Sequence, residues 1–525
     1  MTSSEEGARE GLSSVTQGTL FLLVASLLYV AINFVARVLV VRNISPDQYS
    51  AYSLALTLSG VVAAIGTLGL PSAIARSLPF HASDPERRAM VRATLLLGGG
   101  AGVAGSVLLF VFAQPIGASL ASATLGSGTL TLAIQFFSIS VATSVIGTLI
   151  AAIFQGHEDV TPNALFLNVL NPALYVVFLG AVLALPAHTL DYFDALVAYA
   201  TAQIATVVLL GVYLVTRLPR RLAPGPREPS AVRPFLWFAL PLFVVSVMST
   251  LTGSGDTLIL GLYHSSEVGT YSASLTLARL LQVGVSAASY IFLPVAARFL
   301  RRNDTASIEL TFTTVTKWMI VFSLPLFLLF FFLPSESLGF VYGSKYTLVT
   351  LPLDLAVVGA FLTTLLGPAP TVQVAYGRTR LLAYNAIVAG VLDVGLAFLL
   401  VPTYGWVGAA IAWGTANAAY SMLSLIEIAS MDRIHPFRQH FVLPLVLTLV
   451  PAGLVLGLFR TPVPHWALPP IGLAVAGLFV LLVLVTGSVD VGDAMLLDTV
   501  ERLVGRPLPF VRRIGRLALR RHRLE

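Results

Sequence analysis

The 525-residue chain contains no cysteine, only two lysines beside 29 arginines, and few charged residues of any kind. Without cysteine, the chain has no disulfide framework, thiolate metal site or cysteine nucleophile. Charged residues make up 11% of the chain, whereas a soluble domain averages about 25%, so a string of water-soluble domains is excluded. Hydrophobic residues make up 56%, and the mean hydropathy is +0.87. The composition predicts an all-α protein that crosses a membrane many times.

Long apolar runs follow one another along the whole chain, separated by proline, glycine or charged residues. A helix needs about 20 apolar residues to cross a bilayer, and the sequence contains fourteen such runs. The first run is expected to be a retained span and not a cleaved signal peptide. The fourteen predicted spans lie at about 18–41, 50–72, 93–115, 130–154, 164–185, 194–216, 235–260, 268–296, 312–333, 348–372, 382–402, 405–428, 441–459 and 467–487.

The distribution of basic residues predicts the orientation of these spans. With the N-terminus inside, 26 arginines and lysines fall on the inner side and three, Arg42, Lys345 and Arg460, on the outer side. The remaining two, Arg37 and Arg279, lie within spans. Loops rich in arginine and lysine stay in the cytoplasm, so we expect both termini to be cytoplasmic.

An internal repeat divides the spans into two groups of six and a final pair. YSLALTL at 52–58 matches YSASLTL at 271–277 in five of seven positions, and LPSAIARSL at 70–78 resembles LPVAARFL at 293–300. Both offsets are close to 220 residues, and two copies of six spans have the same orientation, related by an axis along the membrane normal. The predicted parts are an N-lobe at 1–216, a cytoplasmic linker at 217–233, a C-lobe at 234–430, spans 13 and 14 at 431–487, and an arginine-rich tail at 488–525.

Motifs that carry enzymatic chemistry are missing from the sequence. There is no glycine-rich phosphate-binding loop ending in Lys-Ser or Lys-Thr, no HExxH motif and no clustered set of metal ligands. The outer loops are too short to hold a catalytic domain. We therefore expect no enzymatic activity, no catalytic residue, no metal and no cofactor.

Arg279 is the most unusual residue within the predicted spans. It lies about a dozen residues, or ~17 Å, from either end of the eighth span, against a half-thickness of ~15 Å for the hydrocarbon core. A charge at this depth costs at least ~2.5–3.5 kcal/mol. Thr276 and Gln282 lie on the same helical face. This polar stripe predicts a substrate-binding cavity, and the alternative is an arginine neutralised by a carboxylate that locks helices together.

Four further polar positions accompany Arg279. Arg37 and Asn33 share a polar face of the first span, although Arg37 is near enough to the outer end to reach the interface. Asp256 lies 219 residues after Arg37, at the equivalent repeat position, and Asp393 lies in the middle of the eleventh span. Asp256 is expected either to pair with Arg37 or to bind a proton or cation, and Asp393 either to pair with Arg279 or to serve ion coupling.

The tail after residue 500 has the pattern of an amphipathic helix. Phe510, Val511, Ile514 and Leu517 share one face, and the opposite face is rich in arginine. Such a helix is expected to lie on the inner membrane surface and to contact anionic lipid. No nucleic-acid partner is expected.

Three segments resemble the oligosaccharide flippases, the polysaccharide-transporter branch of the multidrug/oligosaccharidyl-lipid/polysaccharide exporter superfamily. They are ARVLVVRNISPDQYSAYSLALTLSGVVAAIGTLGLPSAIAR, GDTLILGLYHSSEVGTYSASLTLARL and LLVPTYGWVGAAIAW, in the family's order. The resemblance implies a two-lobed bundle of fourteen helices in a prokaryotic plasma membrane, with a central cavity that opens alternately to the two faces. It also implies a polyprenyl-linked saccharide as cargo, moved from the cytoplasmic to the outer leaflet, with Arg37 and Arg279 near its phosphates.

Two other functions and a structural role are weighed against the flippase. A cation-coupled multidrug exporter of the same superfamily would have an acidic, aromatic cavity, whereas the mid-span charges here nearly cancel. A membrane-bound polysaccharide polymerase or glycosyltransferase would need a large catalytic loop, which the sequence lacks. A purely structural membrane protein would have no use for charge within its spans.

Overall fold

A computed structural model describes residues 3–80, 84–186, 189–217, 229–300, 302–437, 439–458, 463–486, 488 and 493. Within these residues all regular secondary structure is helical, and the predicted all-α class is confirmed. Two π-helices, Thr94–Gly98 and Pro162–Leu170, lead into α5 and α8. The α-helices are α1 (Ser3–Asn43), α2 (Pro46–Gly66), α3 (Leu70–Ser77), α4 (Asp84–Ala93), α5 (Gly99–Val111), α6 (Ala113–Leu120), α7 (Ser127–Gln155), α8 (Asn171–Leu183), α9 (Tyr192–Arg217), α10 (Pro229–Tyr263), α11 (Val268–Leu280), α12 (Val283–Leu300), α13 (Thr305–Phe332), α14 (Pro334–Tyr342), α15 (Leu351–Leu365), α16 (Ala369–Ala375), α17 (Thr379–Tyr404), α18 (Trp406–Asp432), α19 (Gln439–Leu458) and α20 (Leu468–Val485).

The described residues contain eleven helical segments that are long and apolar enough to cross a membrane. They correspond to predicted spans 1 to 7, 9 to 11 and 14. The predicted eighth span is divided between α11 and α12, the twelfth is α18, and the thirteenth contains the shorter apolar helix Val442–Leu458. The chain is a multi-pass membrane protein, and the total of fourteen spans stays a prediction.

The second predicted span shows how local sequence determines where these helices begin and break. Ser45 and Gln48 form a capping box, in which each side chain accepts a hydrogen bond from the other residue's backbone N–H, at 3.2 and 3.0 Å. The helix breaks at Gly69, whose φ of +69° places it in the left-handed region. A Cβ at Gly69 would lie 2.5 Å from the carbonyl oxygen of Ala239, so this glycine lets α3 approach the backbone of α10.

The chain divides into two compact units, each built from two separate stretches of sequence. We call Met1–Ala273 together with Ala386–Trp413 unit 1, and Ser274–Asn385 together with Gly414–Glu525 unit 2. The predicted lobe boundaries stay predictions. The predicted linker at 217–233 lies mostly outside the described residues, and so does the predicted amphipathic tail, of which only Ser488 and Asp493 are described.

The core of unit 1 is built around α7, which packs against α2, α5 and α9. Fifteen of its 29 residues are buried, as expected for a helix enclosed by others. At one end, a cluster of buried side chains joins α3, α7 and α10. Its largest members are Leu70, Ile74, Leu149, Ile153 and Phe235.

In unit 2, α13 packs against α12, α15, α19 and α20. Lys317 of α13 is 1% exposed, and its ammonium group donates to Asp493 at 2.5 Å and to the carbonyl oxygen of Ser488 at 2.9 Å. Trp318 donates to the second oxygen of Asp493 at 2.7 Å. The sequence analysis counts Lys317 among the basic residues on the inner side. In the structure Lys317 lies twelve residues into α13 and not in a loop, and its buried charge is balanced by the ion pair with Asp493.

Candidate functional site

Two buried aspartates meet inside unit 1. Asp256 on α10 and Asp393 on α17 both have no solvent exposure. The backbone N–H of Asp256 donates to Oδ2 of Asp393 at 3.3 Å, and the hydroxyl of Tyr271 donates to Asp256. A Cβ at Gly255 would lie 3.0 Å from the same Asp393 oxygen, so a glycine permits this close approach. Each buried carboxylate requires hydrogen bonds and a compensating positive charge or a proton, and the backbone N–H of Asp256 and the hydroxyl of Tyr271 supply two of the hydrogen bonds.

The sequence predicts an ion-coupling or charge-pairing role for both aspartates, but it does not predict that they meet. For charge pairing, the sequence predicts an Arg37–Asp256 pair and an Arg279–Asp393 pair. Both pairs stay predictions. The adjacency of the aspartates depends on the packing of α10 against α17, which periodicity within one helix does not reveal.

Arg37 and Asn33 lie on α1, and both side chains are half-buried. Asn33 donates to the carbonyl oxygen of Tyr29 one turn earlier, at 2.9 Å, so its amide N–H is engaged within its own helix. Arg37 interacts electrostatically with the hydroxyls of Tyr52 and Tyr199. These tyrosines belong to α2 and α9, so the Arg37 guanidinium lies near side chains from two further helices of unit 1.

A tyrosine and amide network surrounds that position, and the sequence analysis missed it. The hydroxyls of Tyr52 and Tyr175 are 3.0 Å apart, and Gln203 donates to the hydroxyl of Tyr199 at 3.0 Å. Asn171 in turn donates to Gln203 at 3.2 Å. The rings of Tyr175 and Tyr199 meet edge to face with centroids 5.3 Å apart. The four-residue spacing of Tyr199 and Gln203 in an otherwise apolar span is a signal that could have identified part of this network.

The eighth predicted span is broken at the position of its arginine. The helix α11 ends at Leu280 and α12 begins at Val283, and Gln282 N–H donates to the carbonyl oxygen of Arg279 at 3.0 Å in a tighter turn. Arg279 therefore occupies the last turn of a half-helix and not the middle of a continuous one. A cation is stabilised there by the negative end of the helix dipole. Half-helices that end within the membrane form binding sites in many transporters.

The other two predicted residues of this stripe belong to unit 2 as well. Thr276 is 9% exposed, and Gln282 is half-buried at the break itself. The hydroxyl of Thr364 on α15 lies 3.5 Å from the carbonyl oxygen of Leu281, which the break withdraws from the regular helical pattern. The structure therefore brings Thr276, Arg279 and Gln282 to one interruption of the backbone.

Sequence comparison identifies the family. A family model described as polysaccharide biosynthesis protein matches residues 15–300, which is more than half of the chain. The chain belongs to the polysaccharide biosynthesis protein family. No curated protein matches this family member at a significant level.

The fold of this family member is that of known transporters. It is similar to the solved structure "Lipid II flippase MurJ, inward closed conformation", with a TM-score of 0.68 and 15% identity over 88% of this chain and 98% of that chain. It is also similar to an inward-facing multidrug resistance MATE family transporter, with a TM-score of 0.61 and 16% identity over 79% of this chain and 98% of that one. The family model confirms the predicted resemblance to a polysaccharide family, and the two structural similarities, at 15% and 16% identity, concern the fold. The family and the fold of the chain are therefore established.

Proposed function

We propose that the chain is a flippase that moves a polyprenyl-linked oligosaccharide, joined through phosphate or pyrophosphate, from the cytoplasmic to the outer leaflet by alternating access. The observation that carries the proposal is Arg279 in the last turn of a half-helix within the predicted eighth span. Membership of the polysaccharide biosynthesis family supports the same cargo class.

The chemistry of the cargo explains why arginines would be retained at this depth. A phosphate cannot enter hydrocarbon unaided, because its oxygens would lose water without gaining new partners. A guanidinium supplies charge-assisted hydrogen bonds to two phosphate oxygens at once. We assign this role to Arg279 in unit 2 and to Arg37 in unit 1.

The saccharide needs polar partners that can be exchanged as it moves. In unit 1 the hydroxyls of Tyr52 and Tyr199 and the amide of Gln203 lie near Arg37 or its neighbours. Hydroxyl and amide groups both donate and accept hydrogen bonds, so each can replace a water on a sugar hydroxyl. We assign Asn33, Thr276 and Gln282 to the same supporting role.

Translocation against a gradient requires an energy source, and we place the coupling site at Asp256 and Asp393. These buried carboxylates can hold a proton or a small cation in one state of the transport cycle and release it in another. The arginine distribution supports cytoplasmic termini and contact of the tail with anionic lipid. The family resemblance supports a prokaryotic plasma membrane.

The second candidate function is cation-coupled export of multiple drugs. The buried aspartate pair favours it, because such a pair can couple a cation to any cargo, and the similarity to MATE transporters concerns the same fold. Arg37 and Arg279 argue against drug export, because they would repel a cationic drug.

The proposal is tested in cells that lack their own copy of the gene and are supplied with variants of it. Arg279→Gln and Arg37→Gln are each expected to reduce surface glycan at least tenfold, in line with the loss of a charge-assisted contact. Arg217→Gln, at the exposed end of α9, is the matched control and should leave export unchanged. Normal export by Arg279→Gln at wild-type protein abundance would contradict the proposal.

A further inference from the structure

A polar cavity lies at one end of unit 1, and its lining includes none of the residues assigned to the site above. Its volume is about 480 Å³, within the ~300–1,000 Å³ typical of ligand sites. The walls come from α3, from the last two turns of α7 and from the π-helix Pro162–Leu170. The arginine distribution predicts that this end faces the cytoplasm. We call this cavity the Arg76 pocket.

Polar side chains from all three elements converge on the Arg76 pocket. Ser72 and Arg76 are four residues apart on one face of α3, Thr148 and Gln155 are seven apart on one face of α7, and Asn163 lies on the π-helix. The lining includes no carboxylate. Within the described part of the chain, the side chains of Ser72, Gln155 and Asn163 are engaged in no hydrogen bond. Their donors and acceptors are therefore available to a ligand.

The local backbone forms the pocket for identifiable reasons. A Cβ at Gly156 would lie 2.9 Å from Leu78 Cδ1 and 3.2 Å from the carbonyl oxygen of Ile74, so this glycine lets the end of α7 approach α3 closely. The π-helix is a rare conformation that is frequent at functional sites. The guanidinium of Arg76 lies 5.1 Å from the ring centroid of Phe238 on α10, a cation–π contact that orients it.

We propose that the Arg76 pocket binds the phosphorylated saccharide head group of the cargo on the cytoplasmic side, before the head group reaches Arg37 and Arg279. One guanidinium in a lining that holds no carboxylate selects an anion. Two free amides and the free hydroxyl of Ser72 select a hydroxyl-rich group beside it, and the Thr148 hydroxyl, which donates to the carbonyl oxygen of Ser144 at 2.7 Å, can still accept. This inference rests on the proposed function, because it takes the cargo class from that function and adds a loading site.

The test is a binding measurement on the purified full-length protein in lipid nanodiscs. The probe is a fluorescent short-chain polyprenyl diphosphate-linked N-acetylglucosamine. Arg76→Gln and the double variant Gln155→Leu/Asn163→Leu are each expected to raise its Kd about tenfold. Arg217→Gln and Gln135→Leu, which lies on α7 outside the pocket, are the matched controls and should stay within about twofold of wild type. Arg76→Lys, which keeps the charge, should recover part of the affinity.

Competition distinguishes the possible sources of the phosphate. Unlabelled probe is expected to displace the fluorescent one at a concentration at least tenfold below that of inorganic pyrophosphate or of a short-chain phosphatidylglycerol. Equal displacement by phosphatidylglycerol would overturn the proposal in favour of a site for ordinary membrane lipid. Equal displacement by pyrophosphate would overturn the proposal that the amides of Gln155 and Asn163 bind the saccharide.

The same measurement separates failure of the pocket from failure of the proposed function. If wild type binds the probe, Arg279→Gln weakens binding and both pocket variants bind normally, the Arg76 pocket is overturned and the flippase stands. If wild type does not bind the probe at all, both are overturned. Arg76 and Gln155 are exposed side chains, and substitutions at such positions rarely prevent folding.

Discussion

At the scale of single residues, a charged side chain deep within a span needs partners that the protein itself supplies. Arg279, Asp256 and Asp393 stand out in the sequence because charge within a span is expensive. Their neighbours depend on which helices pack together, and so the contact of Asp256 with Asp393 emerges only from the structure. The sequence also does not reveal the network of Tyr52 and Tyr199, because tyrosine is apolar enough to count as an ordinary residue of a span.

Neutralising one carboxylate of the pair is expected to uncouple transport from its driving force. In vesicles with an imposed pH or sodium gradient, Asp256→Asn and Asp393→Asn should each remove the dependence of transport on that gradient, because an amide cannot hold a proton or balance a cation. Asp191→Asn, in an exposed loop, is the control. Gradient-dependent transport by both variants at the wild-type rate would rule out this coupling site.

Removing one half of the Lys317–Asp493 pair is expected to destabilise unit 2 strongly. Lys317→Met leaves a buried carboxylate uncompensated, a change that costs about 3–5 kcal/mol. The double variant Lys317→Met/Asp493→Leu should regain much of the loss, although Trp318 then lacks its acceptor. The apparent Tm of the purified protein measures both effects. If the double variant were less stable than Lys317→Met, the unpaired Asp493 carboxylate would not be the cause of the destabilisation.

At the scale of helices, hydropathy predicted the spans well and their interruptions poorly. The break after α2 has a sequence signal, because Gly69 adopts a left-handed conformation. The break at Leu281 and Gln282 has none at its own position, so the sequence favoured one continuous eighth span. Hydropathy measures how favourably a segment transfers into lipid. It does not predict a break in the helix, because a break depends on tertiary partners such as Thr364.

Gly69 provides a direct test of how α3 packs on α10. Gly69→Ala should cost about 2–4 kcal/mol, since the new methyl group meets the backbone of Ala239 and Phe243 and the φ angle is unfavourable for alanine. Gly60→Ala is the matched control in α2, where a Cβ meets nothing within 4 Å and helix propensity should favour alanine. Thermal unfolding compares them. Equal melting temperatures would mean that α3 and α10 do not pack as closely as described.

At the scale of the whole molecule, the predicted topology rests on the placement of arginine. The absence of cysteine makes it simple to test, because every introduced thiol is the only one in the chain. Glu158→Cys, between α7 and the π-helix, should be protected from an impermeant maleimide added to intact cells. Ala123→Cys, between α6 and α7, should react. The reverse labelling pattern would invert the orientation and the proposed direction of transport.

The proposed cargo of the protein is a lipid-linked saccharide and not a drug. The most direct measurement follows a fluorescent polyprenyl diphosphate-linked N-acetylglucosamine in vesicles containing the purified protein, using an impermeant reductant to report how much probe has changed leaflet. We expect wild type to move the probe, Arg279→Gln to move it no faster than protein-free vesicles, and neither to accumulate a cationic dye. Dye accumulation by wild type with no movement of the lipid-linked probe would contradict the account and favour a multidrug exporter.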